Sequence, residues 1–310
     1  MSVPYVDGAT LGEVLSFKDA TDALEEAFGA DALPLSPPRG SLPTGRGELL
    51  LMPAAGEQGA GVKLVTVNPP NVDRGIPLIQ GVYVLFDTET LTPRMLFDAA
   101  GLTRIRTAAV SALATRFLAS DRARRLMIFG AGVQGRAHFD ALRVESPPEW
   151  VGVVSRRETS AEALVEHVRA LGIEAERVDA SAIDRAEVVC TCTTSSVPLF
   201  DGAALSPGTH INAVGTHQPD RREVDSVAMA RAEVVVETIE AARREAGDVL
   251  LAAEEGVLDL DRLVTLTEVV RGERKVASSK EVTVFKSVGV GFEDLIVAAA
   301  AARRIEESGT

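Results

Sequence analysis

The chain is short of the residues that usually staple small folds or bind metal. Among its 310 residues there are two cysteines, Cys190 and Cys192, both in the stretch VVCTCTT. On a strand they point to the same face, too far apart for an unstrained disulfide. They could form half of a metal site, but no further cysteine or ligand-spaced histidine lies nearby, and buried strand residues are expected. The four histidines (His138, His167, His210 and His217) show no H-E-x-x-H spacing, so metal catalysis is not expected. No apolar run approaches the about 20 residues of a membrane span. The N-terminal MSVPYVDGAT has neither the basic start nor the apolar run of a signal peptide, so a cytoplasmic location is expected. Lysine and arginine number 32 against 45 acidic residues, a net charge of −13. A nucleic-acid backbone needs clustered cations, so no such partner is expected; the acidity serves solubility.

What the chain does have is ample core. With 46% hydrophobic residues over this length, two domains of a soluble α/β protein are expected. The most informative stretch is LMIFGAGVQGR, residues 126–136. An apolar strand, Leu126 to Phe129, runs into Gly130-Ala131-Gly132-Val133-Gln134-Gly135 and then into a helix with Val133, Ala137, Ala141 and Leu142 on one face. This is the pattern of a dinucleotide pyrophosphate site. Gly130 permits the turn, Gly132 lets backbone amides approach the phosphates, and Gly135 lets the helix lie close to the strand. The helix N-terminus adds aligned donors and a partial positive charge.

Strand-like and helical runs alternate from 126 to 238, which implies a parallel sheet covered on both faces. Strands are expected at 151–154, 187–192, 210–214 and 233–237, and a helix at 160–171 with Leu164, Val165, Val168 and Leu171 inward. The ligand of such a sheet sits at the carboxyl ends of the strands. That places Thr193, Thr194, Ser195 and Val214 at the cofactor edge. The strand 151–154 ends in Ser155-Arg156-Arg157, where an NAD site usually has an acidic residue. A hydroxyl and two guanidiniums attract a ribose 2′-phosphate instead, so NADP(H) is the expected cofactor, with NAD(H) as the alternative.

The first hundred residues read as α+β. Ser16 and Asp19 form a capping box opening a helix with Phe17, Ala20, Leu24 and Phe28 inward. A Pro/Gly-rich connection and strands at 48–52, 61–67 and 81–86 follow. A helix at 103–118 (Ile105, Ala109, Ala112, Leu113 and Phe117 inward) leads into the nucleotide domain. Near the end, a strand at 282–285 precedes an alanine-rich helix, 292–305, expected to return to the first domain. The expected fold is therefore α/β: a Rossmann domain at 113–286 inserted into an α+β substrate-binding and dimerisation domain, 1–112 with 287–310.

Three basic residues stand where solvated charges are not expected. Lys63 lies inside the apolar strand GVKLVTV, Arg39 in the Pro-rich connection, and Arg106 is read in the first turn of a helix, where the dipole disfavours a cation unless an anion is shared. Together they could clamp a carboxylate. Singly, the lysine could face solvent and Arg106 could pair with Asp98. These residues alone lead to a nucleotide-dependent oxidoreductase acting on a small acid.

GVKLVTV, GIPLIQGVYVLFD, LTRIRTAAVSALAT, GAGVQGRAH, PGTHINAVG, EAGDVL and TVFKSVG occur in order along nearly the whole chain. In these motifs the sequence resembles the ornithine cyclodeaminase/mu-crystallin family. The resemblance implies a homodimer, a Rossmann domain, and α-amino or α-imino acid substrates. By position it gives the substrate carboxylate to Arg39, Lys63 and Arg106, and puts Lys286 to Gly289, with Ser287 and Gly289, beside the nicotinamide. Ornithine cyclodeaminases carry a catalytic acidic residue in a G-x-D-x-P-G segment. Here the segment is Gly215-Thr216-His217-Gln218-Pro219-Asp220, with His217 in its place. A histidine recognises a distal ammonium poorly. The expectation is therefore an NAD(P)H-dependent ketimine reductase acting on Δ1-pyrroline- or Δ1-piperideine-2-carboxylate, with Lys63, Arg106 and His217 as catalytic residues. Ornithine cyclodeaminase and alanine dehydrogenase are the alternatives in the same fold, and a non-catalytic NADPH-binding protein the alternative of another class.

Overall fold

The computed structural model describes residues 3–276 and 282–308. Residues 1–2 and 309–310 of the expected outer domain, and 277–281 of the inner one, lie outside the described residues. The chain forms two compact units, Met1–Ala109 with Val290–Thr310, and Val110–Gly289. The nucleotide-type unit is thus inserted into the other.

In the first unit the order is β1 (Tyr5–Val6), α1 (Gly8–Val14), α2 (Phe17–Gly29), β2 (Gly40–Thr44), β3 (Gly47–Gly56), β4 (Gly59–Val67), β5 (Ile79–Phe86), β6 (Pro93–Asp98) and α3 (Ala99–Leu118), whose last turns belong to the second unit. The second unit continues with β7 (Arg125–Phe129), α4 (Val133–Glu145), β8 (Trp150–Val154), α5 (Glu158–Ala170), β9 (Glu174–Arg177), β10 (Val188–Thr191), β11 (His210–Ala213), α6 (Ser226–Arg231), β12 (Ala232–Val236), α7 (Ile239–Glu245), α8 (Gly247–Glu254), β13 (Val264–Thr265), α9 (Leu266–Val270) and β14 (Val282–Lys286). The last helix, α10 (Gly291–Ser308), returns to the first unit.

Among the described residues the first unit holds a six-stranded sheet in the order β1-β6-β5-β4-β3-β2, antiparallel except for β1 with β6. Strand alternation turns Gly61, Lys63 and Val65 of β4 inward. α10 packs over β3, β4 and β5 and against α2. There Phe28 and Phe292 meet edge to face at 5.4 Å. The capping box of Ser16 and Asp19 starts α2 as its sequence requires, although Phe17 is only half-buried. β1, β2 and β6 were not anticipated. β2 has no buried position to mark it, and β1 is two residues long.

Gly291 determines how closely α10 approaches the sheet. A Cβ there would lie 2.7 Å from the Pro53 carbonyl and 2.9 Å from Ser36 Oγ. Only glycine lets the first turn of the helix press onto β3.

The second unit, again among the described residues, is an eight-stranded parallel sheet in the order β13-β12-β14-β11-β10-β7-β8-β9. The chain runs outward from β7 through β8 to β9, then crosses back to β10 on the other side of β7. This makes a switch point at the carboxyl ends of β7 and β10. Two helical expectations need correction. Val133, read as inward, is 69% exposed because it is the first residue of α4, and Leu171 is 46% exposed as the C-cap of α5. Phe117 of α3 is half-buried.

A polar seam crosses the core of this unit. The His138 ring nitrogens meet Gln134 O at 2.8 Å and Ser111 Oγ at 3.0 Å. His210 meets Thr283 Oγ1 at 2.9 Å and Asn212 Oδ1 at 3.2 Å. Burial pushes both imidazoles down to about 4, so both are neutral in the folded protein near pH 7. The unfolded chain takes up a proton on each near its ordinary value. Stability from these groups is therefore present above about pH 6.5 and is lost as pH falls towards 4. The urea midpoint is expected to fall between pH 7 and 5, and to fall less in His138→Gln; an equal fall in the variant would contradict the seam's role.

Candidate active site

In the first unit the structure brings together two of the predicted cations and two carboxylates that sequence reasoning missed. Lys63 (2% exposed) and Arg106 (6%) stand beside Glu293 and Asp294, both fully buried. Lys63 Nζ lies 2.8 Å from Asp294 Oδ2 and donates to Oδ1 at 3.0 Å. Arg106 Nη1 donates to Glu293 Oε2 at 2.8 Å, and its Nε lies 3.5 Å from Asp294 Oδ1. Asp294 therefore bridges both cations. Glu293 and Asp294 occupy the first turn of α10, where the helix dipole favours negative charge.

The alternatives left open for these residues are resolved. Lys63 does not face solvent. Arg106 does not pair with Asp98, whose carboxylate instead accepts from the amides of Ala100 and Gly101 and so starts α3 at Ala99. Arg106 consequently lies two turns inside the helix, not in its first turn as expected, and so is clear of the positive end of the helix dipole. Arg39 is half-buried just before β2, and its charge acts on Lys63.

Burial, opposed by Asp294 and reinforced by Arg106 and Arg39, lowers the Lys63 ammonium to about 8. Tyr83, the cross-strand partner of Lys63 on β5, is fully buried. Its hydroxyl has no hydrogen-bond partner among the described residues. Burial, together with the Asp294 charge, pushes that phenol well above its ordinary value. Tyr83 joins the cluster although nothing in the sequence-based expectation placed it there. Its cue was a tyrosine on the inward phase of β5, and the cue for the carboxylates was Glu-Asp at the head of an alanine-rich apolar helix.

In the second unit the predicted cofactor residues gather at the carboxyl edge of the sheet. Gly130 has φ +97° and donates its amide to Val154 O at 2.8 Å, which brings the glycine turn beside Ser155. A Cβ on Gly130 would lie 2.6 Å from Cys192 O and 3.1 Å from Thr193 Cγ2, so Thr193 borders the turn. A Cβ on Gly135 would lie 1.9 Å from Gly130 O, whereas one on Gly132 would meet nothing within 4 Å. The turn is closed towards the sheet and open over Gly132, and Gly132, as the N-cap of α4, brings no capping side chain. With Val133 exposed above them, residues 130–135 fit a pyrophosphate. Arg156 and Arg157 are exposed after β8, Thr194 is exposed, and Ser195 is half-buried with its amide on Thr193 Oγ1 at 3.0 Å.

Three buried carboxylates, none anticipated, hold this edge in shape. Glu223 accepts from Thr193 N at 2.8 Å, Thr193 Oγ1 at 2.6 Å, Thr191 Oγ1 at 2.8 Å and Gly215 N at 2.7 Å, which ties the ends of β10 and β11 together. Asp248 accepts the amides of Glu223 and Val224 and pairs with Lys286 Nζ at 2.8 Å. Glu237 accepts from Ser287 Oγ at 2.6 Å, Val288 N at 2.9 Å and Gly289 N at 2.9 Å. Val214 and Ser287 donate their amides to Thr191 O and Ala213 O, both at 3.1 Å, in the same row of strand ends. His217 is half-buried, next to Thr216, whose carbonyl accepts from Lys286 Nζ at 2.7 Å. Cys190 is buried with its thiol pushed up to about 12, which leaves it protonated.

A Rossmann-type parallel sheet with an open glycine cradle in the second unit, in a chain whose first unit buries a cation–carboxylate cluster, defines the class of nucleotide-dependent oxidoreductases. The chain belongs to the ornithine cyclodeaminase/mu-crystallin family, whose model matches residues 7–309. It is 36% identical over 298 residues to a Δ1-pyrroline-2-carboxylate reductase of Bacillus cereus, covering 93% of this chain and 90% of that protein. The fold superposes with a TM-score of 0.94 on the Δ1-pyrroline-2-carboxylate reductase of Thermococcus litoralis in complex with NADH and L-proline, 30% identical with 99% of each chain covered. It also superposes with a TM-score of 0.94 on an archaeal alanine dehydrogenase dimer with bound NAD, 29% identical with 100% of this chain and 98% of that chain covered.

Proposed function

We propose that this protein reduces cyclic ketimines, Δ1-pyrroline-2-carboxylate or Δ1-piperideine-2-carboxylate, to proline or pipecolate with NADPH. The observation that carries the reading is the buried Lys63 ammonium, lowered to about 8 and paired with Asp294 beside Arg106. It is supported by the 36% identity to a pyrroline-2-carboxylate reductase. A nicotinamide dinucleotide held at Gly130, Gly132 and Gly135 supplies the hydride. Arg106 and Arg39 take the substrate carboxylate, and Lys63 gives its proton to the imine nitrogen, since hydride addition to carbon leaves that nitrogen needing one. His217, half-buried at the strand ends of the second unit, is the alternative proton donor.

Preference for the 2′-phosphate rests on Arg156 and Arg157, exposed at the end of β8 with no carboxylate before Glu158. The active form in this reading is a homodimer. The sheet face turned away from α10 carries Leu49, Leu51, Pro53, Val62, Leu64, Val82, Val84 and Leu96, an apolar surface that is only half-buried or exposed. A second reading, alanine dehydrogenation, is favoured by the likeness to the archaeal enzyme.

Assays with NADPH and pyrroline-2-carboxylate are expected to give turnover well above NADH with pyruvate and ammonium. The reverse order selects the second reading, and rapid ammonia release from ornithine overturns both. Tight NADPH binding without turnover of any imine selects the non-catalytic alternative. Lys63→Ala and Arg106→Ala are each expected to lose about 100-fold or more in kcat/KM while NADPH affinity is kept. Lost cofactor binding in both would show that these roles are wrong. The double change Arg156→Ala and Arg157→Ala is expected to raise KM for NADPH by about ten-fold while sparing NADH; equal effects would remove the case for the 2′-phosphate. Light scattering is expected to give twice the chain mass, and a monomer at micromolar concentration would refute the dimer.

A further inference from the structure

The two carboxylates at the head of α10 are unusually costly to bury. Each desolvated ion costs several kcal/mol, and replacing a buried ion pair by apolar side chains is often stabilising. Fold stability alone therefore does not explain adjacent acids in the otherwise apolar, alanine-rich start of this helix. Their geometry gives each a main partner, although Asp294 Oδ1 also lies 3.5 Å from Arg106 Nε. Asp294 presents both oxygens to Lys63, at 2.8 and 3.0 Å, and Glu293 takes one Nη of Arg106 at 2.8 Å. The closeness depends on Gly291, which lets α10 settle onto β3 two residues before Glu293.

We infer that Glu293 and Asp294 are positioning residues for the two cations: Asp294 holds the Lys63 ammonium in place as proton donor, and Glu293 orients the Arg106 guanidinium for the substrate carboxylate. The inference rests on the function proposed above. Neither acid touches the reacting atoms, and each acts through the cation it holds. The two acids also set the charge balance. Lys63, Arg106, Glu293 and Asp294 together are neutral, which keeps two desolvated cations from standing alone before the substrate arrives. The charges acting on Lys63 are Asp294 from α10, Arg106 from α3 and Arg39 from the segment before β2, and its cross-strand neighbour on β5 is the neutral phenol of Tyr83. Of these Asp294 alone favours the charged lysine, so removing its charge lets burial and the two arginines drive the ammonium lower.

The parent enzyme is assayed first in the reductive direction, and absence of imine turnover there counts against the proposed function, not against this pairing. With an active parent, Asp294→Asn is expected to lower kcat by about ten-fold or more with KM nearly constant. It should also move the basic limb of the kcat–pH profile down by about one unit or more. Asp294→Glu keeps the charge at a longer reach. It is expected to keep the parent's basic limb while kcat falls about five-fold or more, and it tests the role even if the asparagine variant does not fold. Glu293→Gln is expected to weaken binding of the planar carboxylate pyrrole-2-carboxylate, measured by calorimetry on the NADPH-loaded protein, by about five-fold or more, with a smaller effect on kcat. An unmoved basic limb in Asp294→Asn, or a parental kcat in Asp294→Glu, overturns the role of Asp294. Unchanged analogue affinity in Glu293→Gln overturns that of Glu293.

Discussion

The contact between Lys63 and Asp294 is the constraint around which the first unit is built. An ammonium and a carboxylate 2.8 Å apart, both almost free of water, tolerate little displacement. Losing one partner of such a pair costs about 3–5 kcal/mol, because a buried charge is left alone. The inward phase of β4, the glycine at the head of α10 and the capping of α3 by Asp98 all meet this demand. Strand alternation delivers Lys63 to the covered face, and Gly291 removes the one side chain that would hold the helix away. Asp98 starts α3 early enough to carry Arg106 to the same place.

The second unit uses buried carboxylates differently. Glu223, Asp248 and Glu237 each accept two or more hydrogen bonds from loop amides or hydroxyls. A carboxylate is well suited to this, because it offers about four acceptor sites and competes with no donor for them. Loops at strand ends carry amides that the sheet cannot satisfy, and one buried acid gathers several of them. Here the result is a fixed cradle edge next to the glycine turn, with Lys286 neutralised by Asp248. In both units a buried acid holds several groups in place at once, cations in the first and loop amides and hydroxyls in the second.

Much of this is legible in the sequence. The glycine turn between an apolar strand and a helix, the alternation that follows it, and the placement of Lys63 in an apolar strand are local patterns; the sheet and the switch point follow from them, while the lysine's burial does not. The omissions have a shared origin. Glu293, Asp294, Glu223, Glu237 and Asp248 sit in segments whose local pattern explains them well enough as surface acids or helix-start charges. Their partners lie far along the chain: Lys63 and Asp294 are 231 residues apart, Ser287 and Glu237 50. The error over Arg106 was local. Gly101 lies in the first turn of α3, and only the hydrogen bonds of Asp98 show that the helix has already begun.

Local pattern in the chain was enough for the strand–turn–helix at Gly130, the alternation of strands and helices after it, the glycine positions a dinucleotide turn needs, and the presence of cations where water was not expected. These are properties of near neighbours, governed by strand alternation, helix periodicity and backbone freedom. Which acid meets which base emerges only from the three-dimensional packing, because desolvation and ion pairing act through space and carry no signature in residue spacing. The packing also decided that the lysine is both buried and held, with an ammonium brought down to about 8 by its surroundings.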